Sequence, residues 1–169
     1  MALPDQDQLV DKLARELACE GEVGEPLIFE NSIGKSHKFF AVVVWSVWRS
    51  IPVRQRASLI LEAYRRYDQS HPDHAKAANL AMPTGMTWEE ADQKGLFPYS
   101  ITANAHPDEV DAQAIRDAML SEGAIATASG LKLRLASREA AQQAFQRLHE
   151  QLPQAHWSLN QMVGTLEEE

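Results

Sequence analysis

Cysteine is nearly absent: Cys19 stands alone among 169 residues. No intrachain disulfide can form, and no cysteine pair exists for a tetrahedral zinc site. A chain this long buries roughly 70% of its unfolded surface and needs neither kind of staple. At the end of a helical pattern, the lone thiol is expected to act as a small hydrophobe. Long apolar runs are missing too. The longest, Phe39 to Trp48 with Ser46 inside it, falls well short of the ~20 residues a spanning helix needs, so no membrane partner is expected. Met1 to Asp7 lacks the basic and apolar parts of a signal peptide. Together with the single thiol, this leads to the expectation of a cytoplasmic protein.

Signatures of catalysis are also missing. Gly34-Lys35-Ser36 mimics the end of a phosphate-binding loop, but Phe29 stands where that loop needs its first glycine, and a strand pattern follows where a helix should. No nucleophile elbow or papain-like signature is present. His71-Pro72-Asp73-His74 reads as a solvated turn rather than a metal site. No residue is assigned a catalytic role, and no cofactor or metal is expected from these patterns. A crevice between two lobes, near Tyr99, His106 and Asp108, is where an enzyme reading would look. An isoelectric point near 5.2 and a net charge of −8, with no RNP-type aromatic motif, GxxG loop or zinc finger, disfavour a nucleic-acid partner.

What the chain does have is segregated charge. Residues 1–34 carry two basic and eight acidic groups, and residues 88–122 repeat that balance. Between them, residues 35–66 carry seven basic groups against Glu62 alone. Opposite blocks suit neighbouring elements on one surface, or a basic patch facing an acidic partner. Arg49, Arg54, Arg56, Arg65 and Arg66 are the candidate interaction residues. The reading that follows is a small non-catalytic interaction or adaptor protein with a protein partner.

Periodicity predicts the elements. Leu9, Leu13 and Leu17 mark a helix over 6–18. Residues 27–30 and 38–48 form a hairpin around the polar turn 31–37. Both side-chain parities of the second strand are apolar, so both of its faces should be covered. Pro52 opens a helix over 53–68 with the stripe Ala57, Ile60, Leu61, Tyr64 and Tyr67; Arg56 borders it. Pro83-Thr84-Gly85 reads as a breaker. Thr87 and Glu90 form a capping box. Beyond it lie a strand near 99–103 and a helix over 109–121 capped by Asp108. The alternating strand 131–135, a helix capped by Ser137 and a last strand from His156 follow. The fold class expected is α+β, with a lobe over 1–97 and a second small mixed α/β lobe over 98–169 that could share its core.

Residues 9–91 resemble the BolA family, whose fold is similar to a type II KH domain. The resemblance is carried by the first helix, the hairpin with Asn31-Ser32 and Ser36-His37 in its loop, and Arg56 near the start of the next helix. His74-Ala75 and Thr87-Trp88-Glu89-Glu90 complete it. The chain departs from the family pattern at Trp48 to Pro52, in place of Phe-x-Gly, and at Lys76 after His-Ala. The resemblance implies His37 and His74 as ligands of an iron–sulfur cluster shared with a monothiol glutaredoxin, where imidazole in place of thiolate raises the cluster potential. It also implies, as a further alternative, a KH-like nucleic-acid-binding module.

Overall fold

In the computed structural model, which describes residues 5–18, 25–104, 111–127 and 130–161, the chain is α+β with two small sheets. It divides into two compact units, Met1–Ala91 and Asp92–Glu169; the sequence places the division at 97/98. Among the described residues, no helix is long and apolar enough to cross a membrane.

In the first unit, α1 (Gln6–Ala18) buries Leu9, Val10 and Leu13, the stripe its periodicity predicts. β1 (Leu27–Ser32) and β2 (Phe39–Val44) pair antiparallel from Leu27↔Val44 to Ser32↔Phe39. After α2 (Val53–Ser70) the chain enters β3 (Leu80–Met86), which pairs parallel to β2, and then α3 (Trp88–Gln93). The sheet order is β1-β2-β3, so the valine-rich strand is central. One face of β2, with Ala41 and Val43, packs against Leu13 of α1 and Ile60, Ala63 and Tyr64 of α2. The other face is covered unevenly. Along it, exposure rises from Val44 (0%) through Val42 (9%) to Phe40 (36%), so the expectation of full coverage holds at one end only.

Three further expectations for this unit are corrected. The strand predicted to run to Trp48 ends at Val44, and Ser46–Ser50 winds as a 3-10 helix. An apolar run does not by itself distinguish strand from tight helix. Tertiary bonds decide it: the Glu25 carboxylate accepts from the Ser46 N–H (2.6 Å) and hydroxyl (3.0 Å), and the Trp48 indole folds back to donate to the Val43 carbonyl at 3.0 Å. Pro83-Thr84-Gly85 is no breaker but lies inside β3. β3 is an edge strand, where proline's missing N–H is tolerated. The buried stripe of α2 is Arg56, Leu59, Ile60, Ala63 and Tyr64, rotated so that Arg56 belongs to it while Ala57 and Leu61 are only half-buried.

In the second unit, β4 (Tyr99–Asn104), α4 (Ala112–Ser121) and β5 (Ile125–Thr127) are followed by β6 (Gly130–Leu135), α5 (Arg138–Gln151) and β7 (His156–Gln161). The sheet order is β5-β6-β4-β7, and every pairing is antiparallel. Each helix joins two strands that flank a third, the split β-α-β arrangement. Ile101, Ile115, Met119, Leu133, Ala144 and Leu148 anchor its core. The expected Ser137 cap is present, accepting from the Ala140 N–H at 3.1 Å. The helix expected from residue 109 starts at Ala112, capped by Asp111 rather than Asp108. Asp108 lies outside the described residues, as do Cys19 and His106. Strand β5 was not expected, since three residues are too few to show a period.

Candidate interaction surface

The five candidate arginines do not form one patch. Arg56 is 5% exposed and forms part of the fold. Its Nε donates to the Ile51 carbonyl (2.9 Å), and its Nη2 to the Trp48 carbonyl (2.8 Å). Its Nη1 donates to the Gly85 carbonyl (3.2 Å) and to Glu90 (2.7 Å). A Cβ at Gly85 would lie 2.9 Å from Arg56 Cβ and 3.1 Å from Trp48 Cε2, so glycine is needed for this close approach. Arg56 is therefore corrected from a contact residue to a structural one: a planar five-donor group is the side chain suited to several carbonyls at once.

Arg49 pairs with Glu89, Arg65 with Glu62 at 3.6 Å, and Arg66 with Asp7 and, at 2.5 Å, Asp11. The last pairs tie α2 to α1, and their hydrogen bonds push the Arg66 guanidinium pKa up. Arg54 is exposed, with no ion pair among the described residues. Much of the basic block is thus neutralised by the acidic residues on either side of it in sequence.

Glu90 holds two structures together. Its carboxylate accepts from the Thr87 N–H at 3.0 Å while Thr87 Oγ1 accepts from the Glu90 N–H at 3.2 Å, completing the expected capping box. Partial desolvation pushes the Glu90 carboxyl up, but the Thr87 N–H and the Arg56 guanidinium outweigh it and hold the carboxyl below its usual value. For Glu89, desolvation is likewise outweighed, by its own N–H and Arg49. Tyr64, buried and donating to Glu30 at 2.7 Å, has its hydroxyl pKa raised by burial first and by the carboxylate second.

His37 and His74 are both exposed. His37 sits two residues before Phe39, and His74 six residues before Leu80; Phe39 and Leu80 are register partners in the parallel β2–β3 pair. Both imidazoles therefore precede the same end of the sheet. The hairpin turn is closed by Ile33 N–H to Lys38 O (2.9 Å) and Ser36 N–H to Ile33 O (3.2 Å), with Gly34 at φ 58°. The His74 segment is held by Asp68, whose carboxylate accepts from the Lys76 and Ala77 N–H groups at 2.7 and 2.9 Å. No group of three metal-ligating side chains exists among the described residues.

At this sheet end the structure exposes residues that sequence reasoning passed over. Phe40 (36%) and Met82 (64%) are register partners, so their side chains share a face, and Ile33 (39%) sits in the adjoining turn. Lys35 and Lys38, which flank His37, form no ion pair with any described residue. The signal was available for the lysines, which begin the basic block. It was hidden for Phe40, whose apolar parity matches that of the buried Val42 and Val44. Comparison with protein-family models, with curated proteins and with solved structures finds no match for the chain.

Proposed function

We propose that the protein is a non-catalytic interaction module whose first unit receives an acidic segment of a protein partner at the hairpin end of the sheet. One observation carries this reading: the exposed Phe40–Met82 pair is an apolar anchor in register, next to lysines that the fold leaves unneutralised. Apolar anchors supply affinity, while unpaired charge steers the encounter. The charge available at this end is that of Lys35 and Lys38, since Arg49, Arg56, Arg65 and Arg66 already have acidic partners and Arg54 lies beside Arg56 at the other end of the β2–β3 pair.

The test is a stopped-flow titration with a fluorescent peptide in which Asp and Glu alternate with Leu and Phe. Lys35→Glu with Lys38→Glu should slow association at low salt, and Met82→Asp should speed dissociation. Equal kinetics for wild type and all variants would remove the proposal.

A second reading is an iron–sulfur relay of the BolA kind acting with a monothiol glutaredoxin. It is supported by the helix–hairpin–helix–strand–helix order and by two exposed imidazoles preceding one sheet end. Two imidazoles are fewer than a cluster's ligand set, so thiolates of the partner would have to complete it. Mixing with cluster-loaded glutaredoxin should alter the visible absorption spectrum, and His74→Ala should abolish the change; an unaltered spectrum with wild type ends this reading. No observation favours the nucleic-acid alternative.

A further inference from the structure

A sheet edge is a template for another strand unless something blunts it. The two sheets present four edges, and three of them are blunted. β3 carries Pro83, and its Gly85 carbonyl is taken by Arg56. β1 carries Glu30, whose carboxylate turns back to Tyr64 and Lys76. β5 has only three residues. The fourth edge, β7, runs for six residues from His156 to Gln161 without a proline, lysine, arginine or carboxylate. Among the described residues it pairs with β4 alone.

The apolar side of this edge stands open. Ile101 and Ala103 of β4 face the helices, so their register partners Leu159 and Trp157 face them too. Trp157 is buried, but Leu159, at the margin, is 39% exposed. Helix α5 lies over β4 and β7. Its Arg147 pairs with Glu122 at the end of α4. The opposite flank of α5, with the half-buried Phe145 and the exposed Gln142, therefore lies on the β7 side.

We propose that β7 pairs antiparallel with β7 of a second copy of this chain, joining two four-stranded sheets into one of eight strands. Three features select a second copy as the occupant. A chain of net charge −8 repels its own copies, and this edge brings no carboxylate to the meeting point. The strand is also self-complementary. A two-fold axis at Ser158 sets Leu159 opposite Trp157 on the helix side and His156 opposite Asn160 on the other, each pair occurring twice. Apolar then meets apolar and polar meets polar, as an isologous interface requires. Finally, strands about 4.8 Å apart place the two α5 helices roughly 10 Å apart across the axis, which is helix-packing distance. The flanks carrying Phe145 then meet above the joined strands. This interface uses none of the residues of the partner surface in the first unit.

The experiment is sedimentation velocity on the full chain across a range of micromolar concentrations. A strand edge with one helix flank is a small interface, so a reversible dimer with a micromolar dissociation constant is expected. Leu159→Lys puts a charge on the edge of each copy and should weaken the dimer at least roughly tenfold. Leu120→Lys, the same exchange at another exposed leucine of this unit, should change nothing. Cross-linking reads the register. With Cys19→Ala as background, Ser158→Cys should give a disulfide-linked dimer under mild oxidation, since directly opposed residues have Cα atoms about 4.5–5.5 Å apart. Asn160→Cys, which lies opposite His156 and away from its own counterpart, should not. Leu159 and Asn160 are exposed, and circular dichroism reports whether each variant is folded. A monomer at every concentration would overturn the proposal. So would a dimer that Leu159→Lys leaves intact or that Leu120→Lys disrupts, or cross-linking through Asn160→Cys in preference to Ser158→Cys.

Discussion

Each unit shields one arginine side chain, and the two are used differently. Arg56 of the first unit is 7% exposed at its side chain and donates to three backbone carbonyls as well as to Glu90. Those carbonyls belong to the 3-10 helix, the segment after it and the edge strand β3. Arg134 of the second unit is 6% exposed and donates from Nε to both carboxylate oxygens of Asp92. One arginine satisfies irregular backbone that no ladder satisfies; the other sits on a regular strand and meets a side chain. An unmet buried carbonyl cannot move to water, whereas a partly exposed carboxylate can rehydrate.

Substitutions can break that comparison. Arg56→Ala removes the side-chain donor to the Ile51 and Gly85 carbonyls and leaves the Trp48 carbonyl only the Ile51 N–H (3.1 Å), and should cost about 3–5 kcal/mol in urea unfolding, as for a buried network that loses one member. Arg56→Lys should recover little, because one ammonium cannot span all of those acceptors. A cost below about 1 kcal/mol would show that the clamp is incidental. Arg134→Ala should cost less, about 2 kcal/mol, because Asp92 is 22% exposed at its side chain. If the order of the two reverses, the contrast between the units fails.

Gly85→Ala sharpens the picture from the other side. It leaves every donor in place and adds a methyl group 2.9 Å from Arg56 Cβ. It should cost about 1–2 kcal/mol through crowding, with amide hydrogen exchange accelerated in β3. A neutral outcome would mean that Arg56 moves aside freely.

Glu90 gives the first unit a pH dependence. Its carboxyl pKa is held down in the folded state, so its contribution is complete above the unfolded value of about 4.3 and is lost as pH falls through the folded value. Glu90→Gln should flatten the acid limb of a stability–pH profile, and an unchanged limb would assign the acid response to other groups. The smallest effect belongs to Arg49→Ala. Its pair with Glu89 is more than half exposed at both side chains, so unfolding midpoints should shift by no more than about 0.5 kcal/mol.

Much of the second unit was readable because its elements are regular. Helix α5 declares itself through Ala141, Ala144 and Leu148, its Ser137 cap and Pro153. The alternation of Leu131, Leu133 and Leu135 marks β6. In the first unit the misreadings cluster around Arg56. The overlong strand, the supposed breaker at Pro83 to Gly85 and the misplaced α2 stripe all involve segments that this side chain contacts or the helix that carries it. The interaction site was partly legible in the same way. Lys35, Lys38, His37 and His74 were within view, but that they precede one end of a parallel strand pair follows from a pairing between residues some forty positions apart.

By itself, the sequence determined the α+β class, the positions of most helices, the caps at Thr87 and Ser137 and the exclusion of disulfides, because each depends on local pattern or on counting. Tertiary structure alone decided where the apolar run stops being a strand, which cations are neutralised, and that Arg56 belongs inside. Those outcomes depend on which carbonyl or carboxylate lies within hydrogen-bonding reach, and partners distant in sequence leave no periodic trace.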